Sequence, residues 1–249
     1  MGGRLRVLKN TYHLYTIRRR LMTRNALWAV TMLVIAAFLG AMYSFPPAYV
    51  CSSYLVSSVF MYFLGIYLSM NLHAGENDVF EEILLLHADS DAAYYLSREM
   101  LQARMCLICS LILSFFPLIY SIIRAGYFTR AIMPGDVCCG AAVILFCGFC
   151  GAETGDFFHP RFIGRRYGIC FAILISVVAL CKQGLMETFA AFGILEIFMP
   201  PVTDSLVLLG NSDNFEAMGI FLIVLHMFAY SLVMMCIKIL LLRHSRYRI

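Results

Sequence analysis

The chain has 249 residues, 61% of them hydrophobic and only 14% charged, with a formal net charge of +4. A soluble domain carries roughly a quarter charged residues, so a water-soluble globule is excluded and the class is integral membrane protein. Apolar runs of about 20 residues, the length a helix needs to cross the hydrocarbon, recur along the sequence. The short alternating segments of a membrane barrel do not.

Residues 2–24 (GGRLRVLKNTYHLYTIRRRLMTR) form a basic amphipathic segment. Leu5, Leu8, Tyr12 and Tyr15 recur at helical spacing among Arg4, Arg6, Lys9, Arg18, Arg19, Arg20 and Arg24. Such a helix lies in the headgroup plane with its bases toward anionic lipid; a plain topogenic tail is the alternative. It does not read as a secretory signal peptide, because the apolar run behind it is too long and lacks a small-x-small cleavage site. The first span is predicted over 26–45. Pro46-Pro47 then turns the chain into a second span over 48–72, making an antiparallel hairpin. A third span covers 105–123, with Pro117 as a kink, and a fourth 137–152. The fifth covers 167–186, with Lys182 and Glu187 as a snorkelling pair at its end. The sixth covers 217–237, with Lys238 and the basic tail RHSRYRI behind it.

Two stretches interrupt this pattern. Residues 76–104 are polar and hold seven of the fifteen acids: Glu76, Asp78, Glu81, Glu82, Asp89, Asp91 and Glu99. Asp78 followed by Glu81 is a capping-box pattern. It opens a short helix carrying Val79, Phe80, Ile83, Leu84 and Leu86 beside Glu82 and His87, which reads as a docking element for a soluble partner. A solvated connector with one amphipathic turn is the bland alternative. Residues 188–210 are apolar enough for a seventh span, but Glu196, Pro200-Pro201 and Asp204 sit within them, and a centred Asp costs about 2.5–3.5 kcal/mol on insertion scales. With six spans the basic tails, the docking loop and the basic loop 159–166 share one side, as the positive-inside tendency requires. Residues 188–210 are therefore expected to be a re-entrant hairpin on the outer side, packed in protein.

Chemistry-bearing residues are few. Glu153, Asp156 and His159 follow at i, i+3 and i+6, on one helical stripe. They suit either a salt-bridged helix terminus, with Arg161, Arg165 and Arg166 as partners, or an intramembrane hydrolase. His226 lies mid-span, as a hydrogen bond to a neighbouring helix or as a point on a substrate or proton path. Ser52, Ser53, Ser57 and Ser58 suit a close helix–helix seam. Most of the ten cysteines lie in apolar runs and read as packing residues, despite the C-x-x-C spacing of Cys106/Cys109 and Cys147/Cys150. No metal site and no basic-aromatic nucleic-acid surface is expected.

The layout resembles the transmembrane permease subunit of type-2 ATP-binding-cassette exporters. That family has a basic elbow helix, six spans with both ends cytosolic, an acidic helix between spans two and three, and an outer re-entrant hairpin before the last span. The cytosolic stretch ENDVFEEILLLHADSDAAYYLSREM carries the resemblance, although Ile83-Leu84 stand where the commoner form has Gly-Thr. The resemblance implies an all-α fold in a single transmembrane domain over 1–249. It also implies a coupling helix of Asp78, Val79, Phe80, Glu81, Glu82, Ile83, Leu84, Leu86 and His87, seated on a separate ATPase subunit. ATP and Mg would be bound by that partner, since the chain has no G-x-x-x-x-G-K-[ST] cradle. A second transmembrane subunit, a lipid-like, peptide or drug cargo, and a bacterial inner membrane are further expectations of the same kind.

Overall fold

The computed structural model of the chain describes residues 2–23, 26–46, 48–75, 78–88, 90–158, 165–182, 184, 199–207 and 213–245. Among them the architecture is all-α, in chain order α1 (Gly2–Thr23), α2 (Leu27–Met42), α3 (Val50–Gly75), α4 (Asp78–Leu86), α5 (Asp91–Ile123), α6 (Pro134–Phe157), α7 (Arg165–Leu180), α8 (Asp204–Val207) and α9 (Ala217–Ser245). Four of these, α3, α5, α6 and α9, are long and apolar enough to cross a bilayer. The expected six spans are thus met in part. The helices α2 and α7 have 16 residues each, about 24 Å at 1.5 Å per residue, short of a hydrocarbon core of about 30 Å. Joined to α1 across a 70° bend, α2 gives a possible fifth crossing. Most of the expected re-entrant hairpin, 188–198 and 208–210, lies outside the described residues.

The stretch 76–104 is less of a loop than its polarity suggests. The helix α5 begins at Asp91 and runs 33 residues through Pro117. Ser90 sits just before it in an extended conformation, its side chain accepting from the Ala93 N–H at 3.2 Å, as an N-cap does. Tyr94, Tyr95, Ser97, Arg98 and Leu101 are buried along one face, so packing carries the helix well beyond its apolar run. At about 50 Å, α5 outreaches the hydrocarbon by several turns.

The closest pair is α3 and α6, with α5 packed against both and α9 against α6. The α3–α6 seam is the tightest approach. A Cβ on Gly151 would lie 2.0 Å from the Tyr62 carbonyl oxygen, and one on Gly65 2.4 Å from that of Gly148, so only hydrogen fits there. Small residues are what let helix backbones meet this closely without water to drive them together. Of the four serines expected at a helix seam, Ser53, Ser57 and Ser58 are buried on α3 and Ser52 is half-buried. One core joins α2, α3 and α5 through Ile35, Leu39, Tyr54, Leu64 and Leu113. A second joins α3, α6, α7 and α9 through Leu55, Tyr62, Val143, Ala172 and Met227. All ten cysteines are free, with Cys106, Cys109, Cys147 and Cys150 buried.

The bundle end remote from α4 is tied by Asp213. Its carboxylate accepts from the Val50 N–H at 3.0 Å, the Cys51 N–H at 2.8 Å and the Thr129 hydroxyl at 2.8 Å. It therefore caps the first turn of α3 from 163 residues away. Burial works to raise its pKa, but those hydrogen bonds and the nearby Arg130 charge hold it below the usual carboxylate range. Arg130 in turn grips Asp136 at 2.6 and 2.8 Å, a two-pronged pairing that fixes the loop before α6.

Candidate functional site

A charged side chain inside an apolar bundle has to meet a partner, and near the α4 end several do so together. The spacing of Glu153 and Asp156 on α6 sets both on one stripe facing α9. There the Lys238 ammonium lies 2.9 Å from Glu153 and 2.6 Å from Asp156, and also 2.5 Å from Glu99 of α5. Arg98 of α5 reaches Asp156 at 2.8 Å, and the Ser69 hydroxyl of α3 lies 3.4 Å from the same carboxylate oxygen. Four helices are thereby joined at one node. Glu153 and Asp156 thus form salt bridges with cations of α5 and α9; the expected partner Arg161, the side chains of Arg165 and Arg166, and His159 lie outside the described residues. Glu153 and Asp156 are both buried and engaged in these pairs.

Lys238 corrects the sequence reading, which ended the last span at 237 and left this lysine behind it as a flanking base. It is buried within α9, which runs on to Ser245. The signal was available: Ile239, Leu240, Leu241 and Leu242 follow it, so the apolar run continues past the charge and demands a counter-ion.

One helical turn beyond the node lies the seat of α4. Leu84 and Leu85 pack with Leu14 of α1, Ala93, Tyr94 and Tyr95 of α5 and Leu242 of α9. The Arg18 guanidinium of α1 stacks 4.3 Å above the Tyr94 ring, a cation–π contact. Tyr94 precedes Arg98 by four residues and Leu242 follows Lys238 by four, so seat and node share the same faces of α5 and α9.

The predicted docking residues divide between the two faces of α4. Leu84 and Glu81 are buried at 3% and 5% exposure, whereas Ile83 and Leu86 stand out at 46% and 84%. Glu82 and His87 are exposed beside them, and Phe80 is half-buried against the seat. Of the residues expected to contact a partner, Leu84 and Glu81 thus lie on the inner face, and Glu82, Ile83, Leu86 and His87 on the outer one. The His87 Nδ1 sits 2.8 Å from its own helix's Ile83 carbonyl. The side chains of Asp78 and Val79 lie outside the described residues.

His226, about 18 Å along α9 from Lys238, belongs to a second polar group. Its Nδ1 is 3.4 Å from Asp204, whose other carboxylate oxygen is 2.8 Å from Lys182 of the chain after α7. Lys182 is buried and His226 is 45% exposed. Lys182, expected to pair with Glu187, thus reaches Asp204; Glu187 lies outside the described residues. Among the described residues no group of three or more His, Cys, Asp or Glu side chains is placed to hold a metal ion. No protein family model, curated protein or solved structure matches this chain.

Proposed function

We propose that this chain is the membrane-spanning permease subunit of an ATP-driven exporter of the type-2 ATP-binding-cassette kind. Its α4 is the helix through which a separate nucleotide-binding subunit moves it. One observation carries the reading. The inner face of α4 is seated on the middle of α1 and the ends of α5 and α9, while Ile83 and Leu86 stand out beside Glu82 with no described neighbour to cover them. A connector has no need of such a division. A partner seated on the outer face gains apolar area from Ile83 and Leu86 and orientation from Glu82, since charge complementarity sets register more than affinity. A push there reaches Arg98, Glu99 and Lys238 within one helical turn.

In this reading α2 and α7 complete six spans, α1 lies as an elbow in the headgroups, and α4 with both tails faces the cytosol of a bacterial cell. A second transmembrane subunit, the same or a sister chain, forms the other half of the path. The exposed apolar faces of α5, α7 and α9 meet that subunit and lipid. ATP and Mg are bound by the partner ATPase. The cargo is amphipathic, of the peptide, lipid or drug class, and the Lys182–Asp204–His226 group is a polar station on its way.

The test uses the outer face alone. Ile83→Asp with Leu86→Asp should abolish co-purification of the ATPase subunit encoded beside this chain, with the thermal unfolding temperature unchanged. Undiminished co-purification would reject α4 as the contact, and an adjacent gene set without a phosphate-cradle ATPase would reject the exporter.

A further inference from the structure

Where α1 turns into α2, those two helices and α5 enclose a crevice of about 310 Å³. Met22, Trp28, Met105 and Ile108 make its apolar walls, and Arg19 and Arg104 stand within its lining. Among the described residues neither guanidinium has a carboxylate partner; Arg104 donates to the uncharged Tyr15 hydroxyl at 2.8 Å. Two cations on the lining of one apolar slot, neither with a carboxylate among the described residues, favour an anion there.

Depth says where the anion comes from. From Arg104 to Ile123 is about 28 Å of helix at 1.5 Å per residue, close to the roughly 30 Å of a hydrocarbon core. With α5 crossing the bilayer, Arg104 therefore stands at headgroup level and Met105 and Ile108 just inside the acyl region. Trp28 has the place that aromatic side chains favour at the membrane boundary. Val30 and Leu33 on α2 and Leu107 on α5 are exposed, so both walls border on lipid. Basic pockets between membrane helices recognise anionic headgroups, and the thioether side chains of Met22 and Met105 adapt to a mobile chain.

We propose that this crevice binds one anionic phospholipid of the surrounding bilayer. Its phosphate lies between Arg19 and Arg104 and one acyl chain along Trp28, Met105 and Ile108. The site ties the basic N-terminal helix to α5 through a lipid, and it stands independently of the exporter reading.

Trp28 is the chain's one tryptophan, so its fluorescence reports this crevice. The full chain is reconstituted in phosphatidylcholine vesicles, and acyl-brominated phosphatidylglycerol or acyl-brominated phosphatidylcholine is titrated in as quencher. Phosphatidylglycerol should half-quench Trp28 at a mole fraction roughly tenfold or more below that of phosphatidylcholine, since each base facing an anionic surface is worth about a fivefold factor. Arg19→Gln with Arg104→Gln should bring the ratio near one, and Lys at both positions should keep it. Equal quenching by the two lipids in the unsubstituted chain would overturn the proposal. So would a preference that survives the double Gln change, or quenching by neither lipid, which would mean that protein covers the crevice. Single Gln variants, each expected to lose part of the preference, serve if the double variant does not fold.

Discussion

Replacing Lys238 with Met takes one cation from a node in which its ammonium is within 2.9 Å of three carboxylates. The lysine and Asp156 side chains are 1% exposed, Glu153 9% and Glu99 13%, so water cannot replace what is removed. Arg98 still holds Asp156, but Glu99 and Glu153 are left buried and uncompensated. Breaking a buried pair by deleting one partner costs about 3–5 kcal/mol. At this chain length each kcal/mol moves the unfolding temperature by roughly 2–4 °C, so a fall of about 6–20 °C is expected. The assay is built in: Cys51, Cys106, Cys109, Cys147 and Cys150 are buried free thiols, which a thiol-reactive dye detects as detergent-solubilised protein unfolds. Adding Glu99→Gln and Glu153→Gln to Lys238→Met should restore more than half of the loss, because no unpaired charge then remains. A Lys238→Met variant unfolding within 2 °C of the parent, or a triple variant no better than the single one, would refute the reasoning.

Gly151→Ala places a methyl where the Tyr62 backbone cannot yield and should cost about 1–3 kcal/mol. Gly40→Ala, whose new Cβ meets nothing within 4 Å, should be neutral or slightly stabilising by the same dye assay. Asp213→Asn should lower stability at pH 7 by about 0.5–2 kcal/mol, the range of a lost helix cap. The folded pKa of Asp213 is held below that of a free aspartate, so its contribution is complete above the unfolded pKa and is lost as pH falls through the folded pKa. The parent's advantage over Asp213→Asn should therefore begin to shrink as pH falls below about 3.9 and be gone once pH is below the folded pKa, and an advantage constant down to a pH of about 2 would contradict the assignment. Leu84→Asp, on the inner face of α4, should lower the unfolding temperature, whereas Ile83→Asp at 46% exposure should not; equal effects would mean that the two faces are misassigned.

Much of the candidate site could be read from residue order. The helix at 78–86 is announced by its amphipathic pattern, and the shared stripe of Glu153 and Asp156 follows from their i, i+3 spacing. Which residues of α4 face outward could not be read so. Phe80, Ile83, Leu84 and Leu86 are alike as apolar side chains, and the choice between them depends on where Leu14, Tyr94 and Leu242 stand. The α6 glycines were open to inspection, but their role appears only beside the α3 carbonyls they admit. Asp213 stands in the loop before α9, and only the return of the chain to the first turn of α3 makes it a cap.

Composition by itself determined that this chain lives in lipid and that its secondary structure is helical. An apolar environment forces every backbone polar group to be satisfied internally, and a helix does this within its own segment, residue by residue. Pairing between distant charges follows no such local rule. Glu99, Glu153, Asp156 and Lys238 lie up to 139 residues apart, and which cation meets which carboxylate was decided only when α5, α6 and α9 came together, because a buried charge is stabilised by whatever ion the packing brings within about 3 Å.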